Sequence, residues 1–545
     1  MRILANFGFP RFYMTAMLLS VLLVYSETVT LEYSLNNFLK DVAADNPQRK
    51  VDQHDPLSAR ARYREVRDIF SPTLNAGVTH AENYYTNLLT GVVPSTNRIV
   101  SAGLQKIFAA TGTVLKGSYN NVWFKQSQDV TVAHITSNAD VIITNPGSQV
   151  PPVPATGMAL PTTLIPIRTN IESESWSSHF EFTAVQPLLR NGPILTPGKK
   201  QIDLMKEQVR LARTVDNNKL EGLIFQSIMM YWQYQVNRKF LALSFASVQD
   251  TEAMLEKNRK RLAVGTVDIT DIYDLEAMLA KSRADLDFAR NELLELKEKI
   301  IYTIGRTDLQ SGNVVLNFID DIESPGWLEA LPPKDEILNR AYTYRQDISR
   351  AGIQNKIAGL SLDIARITML PKLDMFASAK IKGFDTNSFR ESFESTAFDK
   401  KNLEFNAGIQ FEMPLDLRAF KTVVEKAKIE KSKSEAAIDL LRRDIEAEIN
   451  SLIRRAEYYR GKERADRETV LLMEKKREEF EKKYNNGKIE IDRYLRAQDD
   501  VRLWQRIRLG TLLQAILTDA QLDLAQGVLL SKYGITANNP MGKIR

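Results

Sequence analysis

The chain has 545 residues, no cysteine, and 73 Lys and Arg against 68 Asp and Glu, for a formal net charge of +5. The missing cysteine excludes disulfides, thiolate metal sites, cysteine nucleophiles and a lipid-modified N-terminal cysteine. Basic and acidic residues are interspersed, which suits solvated helix faces and gives no support to nucleic-acid binding.

At the N-terminus, Arg2 and Arg11 precede an apolar run from Phe12 to Tyr25 and then Ser26. Val24 and Ser26 fit the −3 and −1 positions of a secretory signal peptide covering 1–26. The run of about 14 apolar residues is short for a membrane anchor, which needs about 20. No later run is long and apolar enough to be a transmembrane helix. An exported chain of this kind that belongs in a membrane must cross it as β-strands.

Residues 31–70 are predicted helical, interrupted at Asn46-Pro47 and ended by Pro72. Asp335 to Leu370, ended by Pro371, is the counterpart in the second half. Both prolines open strand-like runs. In the first half His179 to Gln186 reads as a strand, with Leu74–Glu82 and Thr113–Phe124 as candidate partners. Val130 to Asn170 is rich in Pro, Ser, Thr and Asn and reads as loop. The interval from Pro72 to Pro187 far exceeds that from Pro371 to Pro414, so residues 92–177 are taken as an inserted region.

A glycine-free amphipathic run from Gln201 to Leu220 is continued past Gly222 to Val264, turns at Gly265 and returns as Ile269 to Ile304. Apolar residues recur at three- and four-residue steps with Lys, Arg and Glu between them, a helix pattern. The second half repeats it from Leu417 to Tyr484-Asn485-Asn486-Gly487 and back through Ile489 to Leu530. Asn and Gly supply the left-handed backbone that a tight tip needs. The outgoing limb of roughly 65 residues spans on the order of 100 Å. Before it, Leu403, Phe405, Ala407, Ile409 and Phe411 alternate with Glu404, Asn406, Gly408, Gln410 and Glu412; Leu373 to Ile381 alternates likewise. Period-two polarity of this kind is the signature of a barrel strand with lipid outside and water inside. Glu404, Asn406, Gln410 and Glu412 are then expected in the lumen. About four such strands are read in all. The chain is thus a tandem duplication of strand and long helical hairpin: a first repeat over 27–305, a second over 306–530 and a tail over 531–545.

Reactive groups do not converge. His54, His80, His134 and His179 are scattered, without ligand spacing. Gly192 to Lys199 has five residues between its glycines where a phosphate loop needs four, and Lys200 follows where Ser or Thr should stand. It reads as a strand-to-helix turn, and neither catalysis nor a cofactor is expected.

In this order, twice over, Gln186-Pro187-Leu188-Leu189, the proline-ended helices and the tips at Gly265 and Gly487 resemble the TolC-like family of outer membrane efflux proteins. The resemblance covers nearly the whole mature chain, with Tyr344-Arg345-Gln346-Asp347 where the family usually has Arg-Pro-Asp. It implies a mainly α protein with a membrane β-barrel. Three identical chains, each giving four strands, would form a 12-stranded β-barrel continued by a 12-helix α-barrel. The implied role is the passive exit duct of a tripartite efflux pump or type I secretion system. Its partners would be a periplasmic adaptor, an inner-membrane transporter of the RND or ABC type, and outer membrane lipid. Val264, Gly265, Asn486 and Gly487 fall at the tips that meet the adaptor. Thr270 and Asp271 match a Thr-Asp that bonds a tyrosine, here Tyr484, to hold the periplasmic entrance shut. Ile489 replaces an arginine of that lock, and Arg493 and Arg496 stand where the constriction is acidic in the best-known member. The competing reading is an exported structural coiled-coil protein without a channel, which would need no alternating strands.

Overall fold

The computed structural model describes residues 29–87, 91–135, 164–193, 196–306, 314–323, 331–396 and 402–536. The expected signal peptide over 1–26 and most of the expected tail lie outside them. The chain divides into a helical unit (1–60, 208–356 and 432–545) and a sheet unit (61–207 and 357–431).

The helical unit opens on β1 (Val29–Tyr33), which pairs in parallel with β6 (Val314–Phe318). The sequence predicts helix from residue 31, and this is corrected. Alternation in Val-Thr-Leu-Glu-Tyr places Leu31 and Tyr33 beside Leu316 and Phe318, and that burial overrides a helical continuation. The helices follow as α1 (Leu35–Asp45), α2 (Pro47–Asp52) and α3 (His54–Asp68), then α4 (Pro197–Ala263) and α5 (Ile269–Ile304). After β6 come α6 (Lys334–Tyr344) and α7 (Gln346–Met369). Pro47 sits at the start of α2, where its missing N–H costs nothing and Asn46 caps the backbone N–H of Arg49 at 3.0 Å.

The main core joins Phe38, Leu39, Ile224, Tyr231, Phe318 and Leu512. Tyr231 stacks on Phe318 with ring centroids 4.2 Å apart, and its hydroxyl donates to Asp320 at 2.6 Å. A second core (Leu275, Tyr484, Ile491, Tyr494) lies at the hairpin tips, and a third (Ile337, Ile449, Leu522) under α6.

Two hairpins repeat one another. α4 and α9 (Arg418–Asn485) have 67 and 68 residues; α5 and α10 (Ile491–Ala525) have 36 and 35. A short α11 (Leu529–Lys532) follows α10. Gly265, Gly305, Gly487 and Gly527 each take a positive φ just past a helix end. At each, the glycine N–H bonds three residues back and the next N–H five residues back, the Schellman closure of a helix. Gly487 and Gly527 follow Gly265 and Gly305 by the same 222 positions. Gly305 and Gly527 also abut the breaks between short helices: a Cβ at Gly305 would lie 2.3 Å from the Asp45 carbonyl, and one at Gly527 2.7 Å from Tyr344 backbone. The two hairpins thus end in matched backbone geometry at matched spacing. Among the described residues no helix is long and apolar enough to cross a membrane.

Among the described residues the sheet unit holds one antiparallel sheet of six strands in the order β2-β3-β4-β5-β7-β8. Its strands are β2 (Thr73–Asn87), β3 (Gly91–Ile107), β4 (Val114–Ile135), β5 (Leu164–Pro187), β7 (Lys372–Asp385) and β8 (Leu403–Glu412). The expected four strands are corrected to six. Both candidate partners of the first half are strands, and β3 joins them. Much of the region taken as an insertion is therefore strand, and on β3 Val100, Ala102 and Leu104 alternate with Ser101, Gly103 and Gln105. The expected loop at Val130–Asn170 shrinks from both ends, and residues 136–163 within it lie outside the described set.

Candidate functional site

Two places carry the residues singled out in sequence: the two faces of the sheet and the tips of the helical hairpins.

Side chains on one strand alternate between faces, and paired residues of neighbouring strands share a face. The register therefore sorts the whole sheet. One row joins Leu74, Leu104, Gly117, Phe182, Ala379 and Phe405. Rows beside it add Ala76, Val78, Val100, Ala102, Phe180, Ile381, Leu403 and Ile409. This face is apolar, and many of its side chains are exposed, Phe405 and Ile409 at 68% each. On the opposite face stand Thr73, Asn75, Gln105, Lys116, Glu181, Lys380 and Lys382, together with Glu404, Asn406, Gln410 and Glu412. The four residues expected in a lumen thus share the polar face of all six strands. Lys382 pairs with Glu404, and Lys372 lies 3.4 Å from Asp374 and 3.6 Å from Glu412.

The apolar band is oblique. On β7 and β8 it runs from Leu373 to Ile381 and from Leu403 to Phe411, mostly on the side of the common row nearer Pro371 and Pro414. On β2 and β3 it covers Leu74–Val78 and Val100–Leu104, on the far side. Its centre shifts by about four residues, roughly 14 Å, across five strand spacings of about 4.8 Å each. That slope of about 30° approaches the 35–45° strand tilt of a closed barrel. Beyond the band on β4 and β5 lies an aromatic cluster. Trp123 and Trp176 are 6.0 Å apart, and Phe389 and Phe393 of the short helix α8 (Phe389–Glu394) pack on Trp176 and Phe180. Aromatic girdles border the apolar band of membrane barrels in this manner. Gly383 admits α8, since a Cβ there would lie 2.4 Å from the Ser392 carbonyl.

At the tips, Tyr484 is 6% exposed and stacks on Tyr494 at 5.7 Å with nearly parallel rings. Its hydroxyl donates to Oδ1 of Asn258 at 2.5 Å, and not to Asp271. Within the chain the tyrosine therefore meets an asparagine of the same tip region. Asn258 is 1% exposed and stands beside Lys257, whose ammonium donates to the Asn485 side chain at 2.8 Å. Arg261, one turn on, donates to the Asn485 carbonyl at 3.3 Å, with its guanidinium 5.3 Å from the Tyr484 ring centre. The end of α4 thus grips the end of α9 through Lys257, Asn258 and Arg261, none of which the sequence reading singled out. Their spacing was the available signal, since residues one helical turn apart share a face. Burial raises the Tyr484 phenol above its ordinary value, opposed by Arg261.

Asp271 stands in the first turn of α5, where burial raises its carboxyl, reinforced by the charges of Asp268, Asp274 and Glu490. Thr270 is local: its N–H and hydroxyl donate to Asp268, the N-cap of α5, at 3.0 and 3.1 Å. Arg493 and Arg496 are both exposed on α10, and Arg496 bonds Asp492 at 3.1 Å. Val264, Gly265, Asn486 and Gly487 form the two turns, all exposed.

Tyr484→Phe should leave the buried Asn258 oxygen unpaired, costing about 1–3 kcal/mol at the tip. Hydrogen exchange of amides around 480–491 should then quicken roughly tenfold, since 1.4 kcal/mol corresponds to a factor of ten. Asp271→Ala should not produce this change; equal effects from the two substitutions would return the bond to Asp271.

No protein-family description and no curated protein sequence matches the chain. Solved structures do. A membrane protein from Pseudomonas aeruginosa superposes with a TM-score of 0.61 at 14% identity, covering 92% of both chains. The Campylobacter jejuni CmeC outer membrane channel gives 0.60 at 11%, over 92% of this chain and 87% of that one. The outer membrane protein VceC of Vibrio cholerae gives 0.60 at 13%, over 92% and 97%. Identities this low speak to fold, and the fold of this chain is that of the TolC-like outer membrane channels.

Proposed function

We propose that this protein is the passive exit duct of a tripartite efflux pump or type I secretion system. It is a homotrimer, exported by its 1–26 signal peptide and seated in the outer membrane with long periplasmic hairpins. Residues 27–305 and 306–530 are its two repeats. The observation that carries this reading is the oblique apolar band across six strands, backed by a charged face, on a fold shared with outer membrane channels. A structural coiled-coil protein has no use for such a sheet. Four helical limbs from each chain, α4, α5, α9 and α10, make a 12-helix periplasmic barrel. A periplasmic adaptor docks at Val264, Gly265, Asn486 and Gly487 to open it, and an inner-membrane transporter feeds it. The duct itself performs no catalysis and takes no cofactor.

Thr270, Asp271, Tyr484, Arg493 and Arg496 belong to the entrance. Asp492 offsets the charge of Arg496, so Arg493 contributes most to a positive ring. The purified protein should conduct in planar bilayers with a reversal potential favouring anions. Arg493→Asp with Arg496→Asp should move that potential towards cations. Absence of any conductance rejects the duct, whereas conductance that the double replacement leaves unchanged removes both arginines from the pore.

A further inference from the structure

We infer that the barrel is closed by 18 strands rather than 12, with β8 of each chain pairing to β2 of a second copy. The inference rests on the trimer reading above and deepens it.

Among the described residues the sheet ends on two unpaired edges, β2 and β8. Its apolar face is exposed at Leu74, Leu104, Phe182 and Phe405, on both edge strands and between them, and open backbone edges are not tolerated in hydrocarbon. Six strands fall short of the eight that the smallest membrane barrels use, so one chain cannot close on itself. A second copy supplies the missing partner. β2 starts just after α3, and β8 ends just before α9, so these two edge strands run in opposite directions relative to the helix ends. Side by side across a chain boundary they are antiparallel, which continues the up-and-down order of the sheet. The oblique band makes the same point, since its slope suits a segment of tilted barrel wall.

The alternative is that β2 and β3 fold aside, leaving β4-β5-β7-β8 as a four-stranded share of a 12-stranded barrel. The packing of the β3–β4 turn argues against it. Lys106 donates to the Phe70 carbonyl at 2.7 Å, and Thr196 donates to the Ala110 carbonyl at 2.9 Å. Gly198 lies against the Phe70 ring, where a Cβ would come within 2.7 Å. Gly112, at φ +69, leaves no room for a Cβ beside the Asn191 carbonyl. The turn is therefore seated between the residues that end α3 and those that begin α4. It fills the space that two added strands open between those helices. β3 is paired with β2 on one side and β4 on the other, so removing the hairpin would strip a buried edge from β4.

Barrel diameter grows roughly linearly with strand number, so 18 strands should make the wall about 1.5 times as wide as 12. The chain contains no cysteine, which leaves introduced pairs unambiguous. Asn406→Cys on β8 is combined with Asn75→Cys or Thr79→Cys on β2, and separately with Ser118→Cys or Asn120→Cys on β4. On oxidation of whole cells, a β2 pair should give covalent ladders ending at three chains in non-reducing gels, and the β4 pairs none. Cross-linking to β4 overturns the inference. Electron cryomicroscopy of the detergent-solubilised assembly counts the strands directly, so a missed cysteine register does not decide the matter. Eighteen strands in a threefold particle supports the inference, and twelve in a threefold particle overturns it. A twofold particle built on the β8–β2 contact would instead overturn the trimer reading and keep the edge pairing.

Discussion

Ile409→Lys should nearly eliminate assembled protein from the outer membrane, while Gln410→Lys should leave it close to normal. The two positions are adjacent in β8 and point to opposite faces. Ile409 pairs with Met375 on the apolar face, and Gln410 pairs with Asp374 on the charged one. A lysine near the bilayer midplane on the lipid side costs about 2–4 kcal/mol per chain, and a trimer bears that cost three times. On the other face the new ammonium gains Asp374 and Glu412 as neighbours, so little is lost. Heat-modified gel mobility of outer membrane fractions measures the assembled form. Equal tolerance of the two lysines would mean that the apolar face does not meet lipid, and the barrel reading would fail with it.

Much of this arrangement was legible in the chain itself. Long runs poor in glycine with apolar steps of three and four dictate the hairpins, and Gly265 and Gly487 mark the tips because helix ends of this type need a left-handed residue. β7 and β8 were legible because large apolar side chains alternate with charges. β3 was not, since Ala102 and Gly103 blur the polarity difference, and Pro94 argues against a central strand. The parallel pair β1–β6 joins segments 285 positions apart, a contact that no local period announces. At the tips, the resemblance pointed to Tyr484, and periodicity alone could not choose its partner. Which polar group meets a hydroxyl depends on how two helices rotate against each other, and within this chain it is Asn258. Glu404, Asn406, Gln410 and Glu412 could be sorted onto one face residue by residue because a strand has only two faces to choose between.

The Arg345 junction should show a comparably large effect in the helical unit. The short helices α6 and α7 break at Arg345, whose guanidinium bonds Asp347 through two nitrogens at 3.0 and 2.7 Å. It also donates to Glu448 at 2.6 Å and to the Ala525 carbonyl at 3.2 Å. One side chain therefore ties the break to α9 and to the end of α10, with only 15% of it exposed. Removing one partner of a shielded ion pair costs about 3–5 kcal/mol, because the other charge stays behind. Arg345→Ala should accordingly lower the thermal unfolding midpoint of the solubilised protein by several degrees or more, with Arg345→Lys in between for want of the planar fork. A second group sharpens the test. Glu221 is buried nearby, and burial, helped by the charge of Asp347 and opposed by Arg345, pushes its carboxyl up to about 7. A carboxyl raised in the folded state holds its proton there while the unfolded chain has lost it. Glu221 therefore makes stability fall as pH rises from about 4.5 to about 7. Taking away Arg345 removes the charge that eased this ionisation, so the Arg345→Ala defect should be deeper at pH 8 than at pH 5. Adding Glu221→Gln should recover part of the loss at pH 8 and little at pH 5. An Arg345→Ala protein that melts like the parent, or a rescue independent of pH, would show that this junction is held by packing rather than by its charges.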